Sequence, residues 1–407
     1  MTRELARRIA FTIGALLLFR FGTHVLLPGL RPGDWLTGGP AAIGAITRLS
    51  IICLNLIPYL SAAILVQLVA MAWGRLNSLA RSGERGRRRI ARYTLILTLL
   101  IASFQAYGIA TALRDIPNVV PNPDGGFVLT ATVSMVGGVF FLVWLSELIT
   151  RHGIGNGIAL ILSVNIIVSL PSDIAGIASL LQSGAISSGL VLGHIAFWIA
   201  TVTIMVVVES ARRNVRVDFA GRKIGDRVLP ARSAVLPIKI NSAGYLVPTT
   251  VAPWLWFLPL AVLTYVYGAD APLIESAYKQ LKFGAPLHMI LGSAAVFVLA
   301  FIYTAYVVDP EHTAKSLIRY GGAVPGVVPG EATADQIDRV ASLTTVVGAV
   351  YLTSVLLIPE VFELYGIGLP YSMIINGGAA LIVVCTVLDL RKQVRDLSLT
   401  NAGDERR

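Results

Sequence analysis

Apolar runs long enough to cross a bilayer recur along this chain, at approximately 9–27, 51–73, 93–113, 128–147, 157–171, 189–208, 242–264, 286–308, 340–358 and 370–388. In hydrocarbon every backbone N–H and C=O needs a partner inside the protein, and a helix supplies those partners from its own segment. About 20 apolar residues suffice for one crossing. The ten runs therefore predict an all-α polytopic membrane protein with ten transmembrane helices. Only 14% of the residues are charged, against about 25% in a soluble domain, so a soluble fold is excluded. Cys53 and Cys385 both lie in apolar runs and read as small apolar filler.

Three runs depart from the simple pattern. The first follows Arg7-Arg8-Ile9 and resembles a signal sequence, but it is long for one and no small-x-small cleavage site follows. A retained first span is expected. The fifth, 157–171, is short. The seventh contains Pro248, Pro253 and Pro259, which predict a kinked or broken helix.

Charge supplies the orientation. With the N-terminus inside, the inner segments carry 27 Lys and Arg and the outer loops carry 5. Lys and Arg accumulate on the cytoplasmic side, so both termini are expected there. The densest inner segment is Arg81-Ser-Gly-Glu-Arg-Gly-Arg-Arg-Arg-Ile-Ala-Arg92, read as a loop between a helix ending near Trp73 and one beginning near Tyr93. Two further inner segments stand out by length. In 209–241 the alternation around Val215-Arg-Val-Asp-Phe219 predicts a projecting β-hairpin. In 309–339 Gly321-Gly322, Pro325-Gly326 and Pro329-Gly330 predict repeated turns, with Thr333 and Gln336 as a capping box for the ninth span. Outside, 28–50 is too long for a simple turn, and a re-entrant or plugging segment is expected.

Several motifs then become recognisable. They are Ile57-Pro-Tyr-Leu-Ser-Ala-Ala-Ile64, Gly83-Glu-Arg-Gly-Arg-Arg-Arg-Ile-Ala-Arg-Tyr-Thr94, Gly153-Ile-Gly-Asn-Gly157, Glu209-Ser-Ala-Arg-Arg213, Leu236-Pro-Ile-Lys-Ile-Asn-Ser-Ala-Gly244 and Val324-Pro-Gly326 with Pro329-Gly330. In this order, over nearly the whole chain, they resemble the SecY family of protein-conducting channels of the bacterial plasma membrane. The resemblance implies two pseudo-symmetric five-helix halves, 1–171 and 172–407, around an hourglass pore. It implies passage of unfolded preproteins across the membrane and lateral release of hydrophobic segments between the second and seventh spans. It implies small SecE-type and SecG-type subunits, and a SecA motor or a ribosome on the cytoplasmic face. Anionic lipids are a further expected partner of the basic segments.

The same motif register implies roles for particular residues. Leu56, Leu60, Ile166 and Ile382 fall on the family's pore-ring positions, where aliphatic side chains exclude hydrated ions yet yield around a chain. Gly44, Ile46, Thr47 and Arg48 fall in its plug, within a segment near 31–55. Arg85, Arg87, Arg88 and Arg89 form one docking cluster; Arg212, Arg213, Arg222, Lys223, Arg227 and Arg232 form the other. Arginine suits phosphate and carboxylate alike, so ribosomal RNA and an acidic motor surface both fit. Arg20 lies inside the first span, where a charge is costly and marks function or a structural partner. The seventh span's ring residue is unassigned, because Tyr245-Leu-Val-Pro-Thr-Thr-Val251 fits the family's run only with a shift of one residue.

One departure bears on function. The family's last large loop reads Pro-Gly-Ile-Arg-Pro-Gly, and here the segment is Pro325-Gly-Val-Val-Pro-Gly330. Val328 replaces the arginine used in motor-driven export, so a divergent or accessory channel with altered motor coupling is expected. No catalytic constellation, cofactor motif or metal-ligand spacing is visible, and His24, His152, His194, His288 and His312 are scattered. A secondary transporter would share broken helices and repeats but place ionisable groups at mid-membrane. A non-conducting scaffold derived from the channel would share everything but conduction.

Overall fold

The computed structural model describes residues 3–30, 49–116, 119–121, 124–219, 222–224, 227–229, 231–244, 260, 263–264, 268, 271–365 and 377–404. The described helices are α1 (Arg3–Gly22), α2 (Ile57–Ala72), α3 (Gly74–Arg81), α4 (Glu84–Arg114), α5 (Gly125–His152), α6 (Gly157–Gln182), α7 (Ser188–Ser210), α8 (Pro272–Leu281), α9 (Pro286–Val308), α10 (Pro310–Arg319), α11 (Glu331–Leu364) and α12 (Gly377–Asp404). The strands are β1 (Arg212–Phe219), β2 (Arg222–Ile224), β3 (Arg227–Leu229), β4 (Arg232–Lys239) and β5 (Gly322–Ala323). Six helical stretches among the described residues are long and apolar enough to cross a membrane: α4, α5, α6, α7, α9 continuing through α10, and α11. The apolar α2 is shorter, at 16 residues. Most of the seventh run, 242–264, lies outside the described residues.

Helix boundaries correct three expectations. The arginine-rich island is not a loop: α3 occupies 74–81 and α4 begins at Glu84, so Arg85 to Arg92 are helical. Arginine's unbranched stem suits a helix, and Glu84 pairs with Arg88 one turn on. The fifth span is not short, because α6 runs through Pro171 to Gln182. The capping box does not form. Gly330 is the N-cap of α11, and the Thr333 hydroxyl donates instead to the Val328 carbonyl at 3.0 Å. The Pro329-Gly330 turn launches the helix three residues before Thr333, leaving that side chain inside the first turn.

The chain divides into two compact units, Met1–Val191 with Ser372–Ile374 and Ile382–Arg407, and Leu192–Tyr371 with Ile375–Leu381. In the first, Ala102, Ala106 and Ala110 form a fully buried stripe on α4, facing Phe127, Ala131 and Met135 of α5. Small side chains at four-residue spacing let helix backbones approach closely, the usual way to bind helices where lipid offers no hydrophobic contrast. Asp124 caps α5 by accepting from the Phe127 N–H at 2.9 Å, and Asn156 caps α6 by accepting from Ile158 at 3.0 Å.

In the second unit the hairpin appears as expected. β1 and β4 pair antiparallel from Arg212↔Lys239 to Phe219↔Arg232, and β2–β3 continue the same register. β5 adds to the other edge of β1 through Asp218↔Ala323 and Phe219↔Gly322. The alternation buries Val215 and Val217 with Ile238, Val324 and Ile337, and with Leu317 and Val327 partly buried against them. The two long polar segments, 209–241 and 309–339, thus share one small apolar core with the first turns of α11. Ile337 is fully buried in it. Ile337→Ala should cost about 2–4 kcal/mol and release the hairpin. Limited proteolysis should then cut 209–241 at lower protease than in the parent, with the membrane helices still protected.

Candidate functional site

Leu56 and Leu60 stand at the entrance to α2. Leu56 is the N-cap residue and has no exposure, and Leu60, one turn on, is 8% exposed. The Leu56 N–H bonds the Asn55 side-chain oxygen at 2.8 Å, and Leu56 accepts from the Leu60 N–H at 2.9 Å. Asn55 adopts a positive φ of 53°, which turns the incoming chain into the helix. Ile166 on α6 and Ile382 on α12 are both half-buried. Between their helices the Ser163 hydroxyl donates to Thr386 Oγ1 at 2.8 Å, and Thr386 donates to the Ile382 carbonyl at 2.7 Å. Ser163, one turn before Ile166, thus meets Thr386, one turn after Ile382, and Leu56 and Leu60 lie on one buried face of α2.

Gly44, Ile46, Thr47 and Arg48, the residues expected to form a plug, lie outside the described residues. The ends of the segment that carries them do not. Leu27 N–H bonds Leu49 C=O at 3.0 Å, Ile51 N–H bonds Val25 C=O at 2.9 Å, and Leu26 bridges Ser50 antiparallel. The segment departs and returns at one point, anchored by Leu27, which is 2% exposed. Arg20, at the end of α1, donates to the Thr23 hydroxyl at 3.1 Å, a local structural partner.

Arg85, Arg87, Arg88 and Arg89 are exposed on the first turns of α4. Arg212 and Arg213 are exposed at the base of the hairpin and Arg232 is exposed midway along it; Arg222, Lys223 and Arg227 belong to its β2–β3 tip. Arg216 is a further exposed cation of β1, unassigned by motif but detectable from the period-2 alternation that puts it beside Arg212 and Asn214. It donates to Asp218 at 3.1 Å, and Ser233 opposite donates to the same carboxylate at 2.7 Å. The Ser233 hydroxyl first and Arg216 second hold the Asp218 carboxyl below its ordinary value.

Val328 is 74% exposed. Gly326 and Gly330, at φ of +78° and +123°, take the left-handed conformations that shape the turns on either side of it. Among the described residues no group of three or more His, Cys, Asp and Glu is placed to hold a metal.

Comparison with known proteins adds to this geometry. The SecY family model matches residues 50–391. The protein translocase subunit SecY of Escherichia coli strain K12 is 38% identical over 415 residues, covering 98% of this chain and 93% of that protein. A solved structure concerned with how the plug domain of SecY stabilises the closed state of the translocation channel and maintains a membrane seal has TM-score 0.67 and 16% identity, covering 97% of this chain and 93% of the other. Sec61 in the canine ribosome–channel complex from the endoplasmic reticulum has TM-score 0.63 and 15% identity, with the same coverages of 97% and 93%.

The Asp218 cluster offers a test of the hairpin's electrostatics. The depressed carboxyl contributes stability above its unfolded-state value, and that contribution is lost as pH falls through the folded value. Ser233→Ala should move the Asp218 titration midpoint upward in NMR spectra of the labelled protein. An unchanged midpoint would remove the serine from the account.

Proposed function

This chain belongs to the SecY family, and from that membership we propose that it is the central channel subunit of a bacterial plasma-membrane translocase, with both termini cytoplasmic. It passes unfolded preproteins across the membrane and inserts hydrophobic segments into it. The observation that carries this is co-linear identity to a protein translocase subunit over 98% of the chain. Members of the family are channel subunits and not enzymes, and neither a solute transporter nor a non-conducting scaffold accounts for that identity as directly. The lysine and arginine distribution, 27 inside against 5 outside, supports the orientation.

Leu56, Leu60, Ile166 and Ile382 are the ring that excludes ions by dewetting. The segment with Gly44, Ile46, Thr47 and Arg48 is the plug, supported by the antiparallel anchor at Leu26 and Ser50. The halves 1–171 and 172–407 are clamped by a SecE-type subunit, with a SecG-type subunit at the periphery. The arginines of α4 and of the hairpin dock a ribosome or a SecA motor, and anionic lipid headgroups neutralise those nearest the membrane. At Val328 the exposed loop presents an isopropyl group where the family's arginine donates charge-assisted bonds, so coupling to the motor is weakened.

Reconstitution in proteoliposomes with a SecE-type partner, a motor and a preprotein should give protease-protected preprotein. Solute uptake that saturates, with no protection, would sink the proposal. In the same vesicles Leu60→Ser should raise resting ion leak about tenfold by wetting the constriction. Val328→Arg should tighten motor binding by about 1–2 kcal/mol, the size of a charge-assisted bond, and raise the export rate. Unchanged binding beside full export by the parent would show coupling to be intact already.

A further inference from the structure

We propose that Ser163 and Thr386 are positioning residues that hold Ile166 and Ile382 at one level of the pore wall. This rests on the ring reading above. The hydroxyls form a directed chain: Ser163 donates to Thr386 at 2.8 Å, and Thr386 donates to the backbone carbonyl of Ile382 at 2.7 Å. Both residues are 4% exposed. Around them α12 reads Leu381-Ile-Val-Val-Cys385, an apolar surface that slides against a neighbour without preferring any register. A directional bond between hydroxyls is what selects one.

A second pin lies nearer the cytoplasm, where the Gly155 N–H donates to Gln393 Oε1 at 2.8 Å. Gly155 has φ +87°, and a Cβ there would lie 2.8 Å from the Leu390 side chain, so only glycine brings this backbone so close to α12. The two pins define the register. Moving eight residues along the chain from Gly155 to Ser163 corresponds to moving seven residues back, from Gln393 to Thr386. The helices therefore run antiparallel. Three more residues along α6 reach Ile166, and four more back along α12 reach Ile382, each about one turn further at about 1.5 Å per residue. Ile166 shares the Ser163 face and Ile382 shares the Thr386 face, because residues three or four apart are neighbours on a helix. The two ring side chains are thus level, one from each side of the seam.

Losing the bond lets α12 shift relative to α6 and unseats one ring residue from the other's level. Interhelical hydrogen bonds in membranes change equilibria by about three- to tenfold. The test uses the full chain with a SecE-type partner in proteoliposomes, measuring resting chloride leak without preprotein. Ser163→Ala and Thr386→Val should each raise the leak about three- to tenfold. The double variant should leak little more than the worse single, since the two side chains share the 2.8 Å bond, and only the longer contacts of Ser163 with the Ile382 carbonyl at 3.5 Å and of Thr386 with the Ala159 carbonyl at 3.4 Å are separate. Thr386→Ser, which keeps the hydroxyl, should stay near the parent, and thermal unfolding midpoints should barely move. Ile382→Ser reports on the ring itself. If Ile382→Ser leaks while Ser163→Ala and Thr386→Val stay tight, the positioning role is wrong. If Ile382→Ser is tight as well, the ring reading fails with it. If Thr386→Ser leaks as much as Thr386→Val, lost packing is the cause and the hydroxyl chain is refuted.

Discussion

A peptide group in hydrocarbon has no water to bond, so each crossing must be a helix whose backbone satisfies itself. Once backbones are committed in this way, what remains to decide the fold is how helices recognise one another. Lipid is as apolar as leucine, so burial distinguishes little, and the structure relies on other devices. Small residues bring α4 and α5 together through Ala102, Ala106 and Ala110. Buried polar contacts pin specific pairs, Ser163 to Thr386 and His288 Nδ1 to Glu360 Oε2 at 2.7 Å, and the part-buried bond of Gly155 to Gln393 adds a third. Each is local and directional, and each would be weak in water. In a bilayer the alternative is an unsatisfied group, which gives them leverage over register.

Outside the membrane water returns and the ordinary hydrophobic effect operates. There the chain builds a miniature soluble core from pieces about a hundred residues apart. Val215 and Val217 of the hairpin meet Val324 and Ile337, which lie two apolar runs further along the chain. The hairpin is consequently held against the base of α11, with its outer face left for cations. Cations mounted on a core are held in place, unlike cations on a free ribbon, and the arginines of α4 are held likewise, since they extend a long apolar helix and do not sit in a loop.

The positions that bear on conduction follow from both regimes. A ring of aliphatic side chains works only if its members are level, because one displaced by a turn opens a path for water. Apolar side chains cannot enforce that by themselves, and the Ser163–Thr386 hydroxyl pair between α6 and α12 is a directional contact of the kind they lack. In the loop before α11 the logic is reversed: glycines at 326 and 330 adopt positive φ and shape the backbone, and the side chain of Val328 is left exposed.

Several features were legible in the sequence because they depend on near neighbours. The eighth run was read at 286–308 and α9 occupies Pro286–Val308; the alternation at 215–219 became β1; the ordered motifs identified the family. Others were not legible. Helicity through Arg85–Arg92 and past Pro171 is set by continuity with a stable span, which outweighs the loop-like composition. Thr333 and Gln336 matched a cap by pattern, but the turn at Pro329-Gly330 fixed the start of α11 earlier. Local chemistry along the chain thus determined the class of fold, the spans and their charge asymmetry, since each depends on residues within a few turns of one another. The shared core of the hairpin and α11, and the meeting of Ser163 with Thr386, were decided only by tertiary structure. Both depend on bonds between residues separated by a hundred positions or more, whose pairing no local pattern encodes.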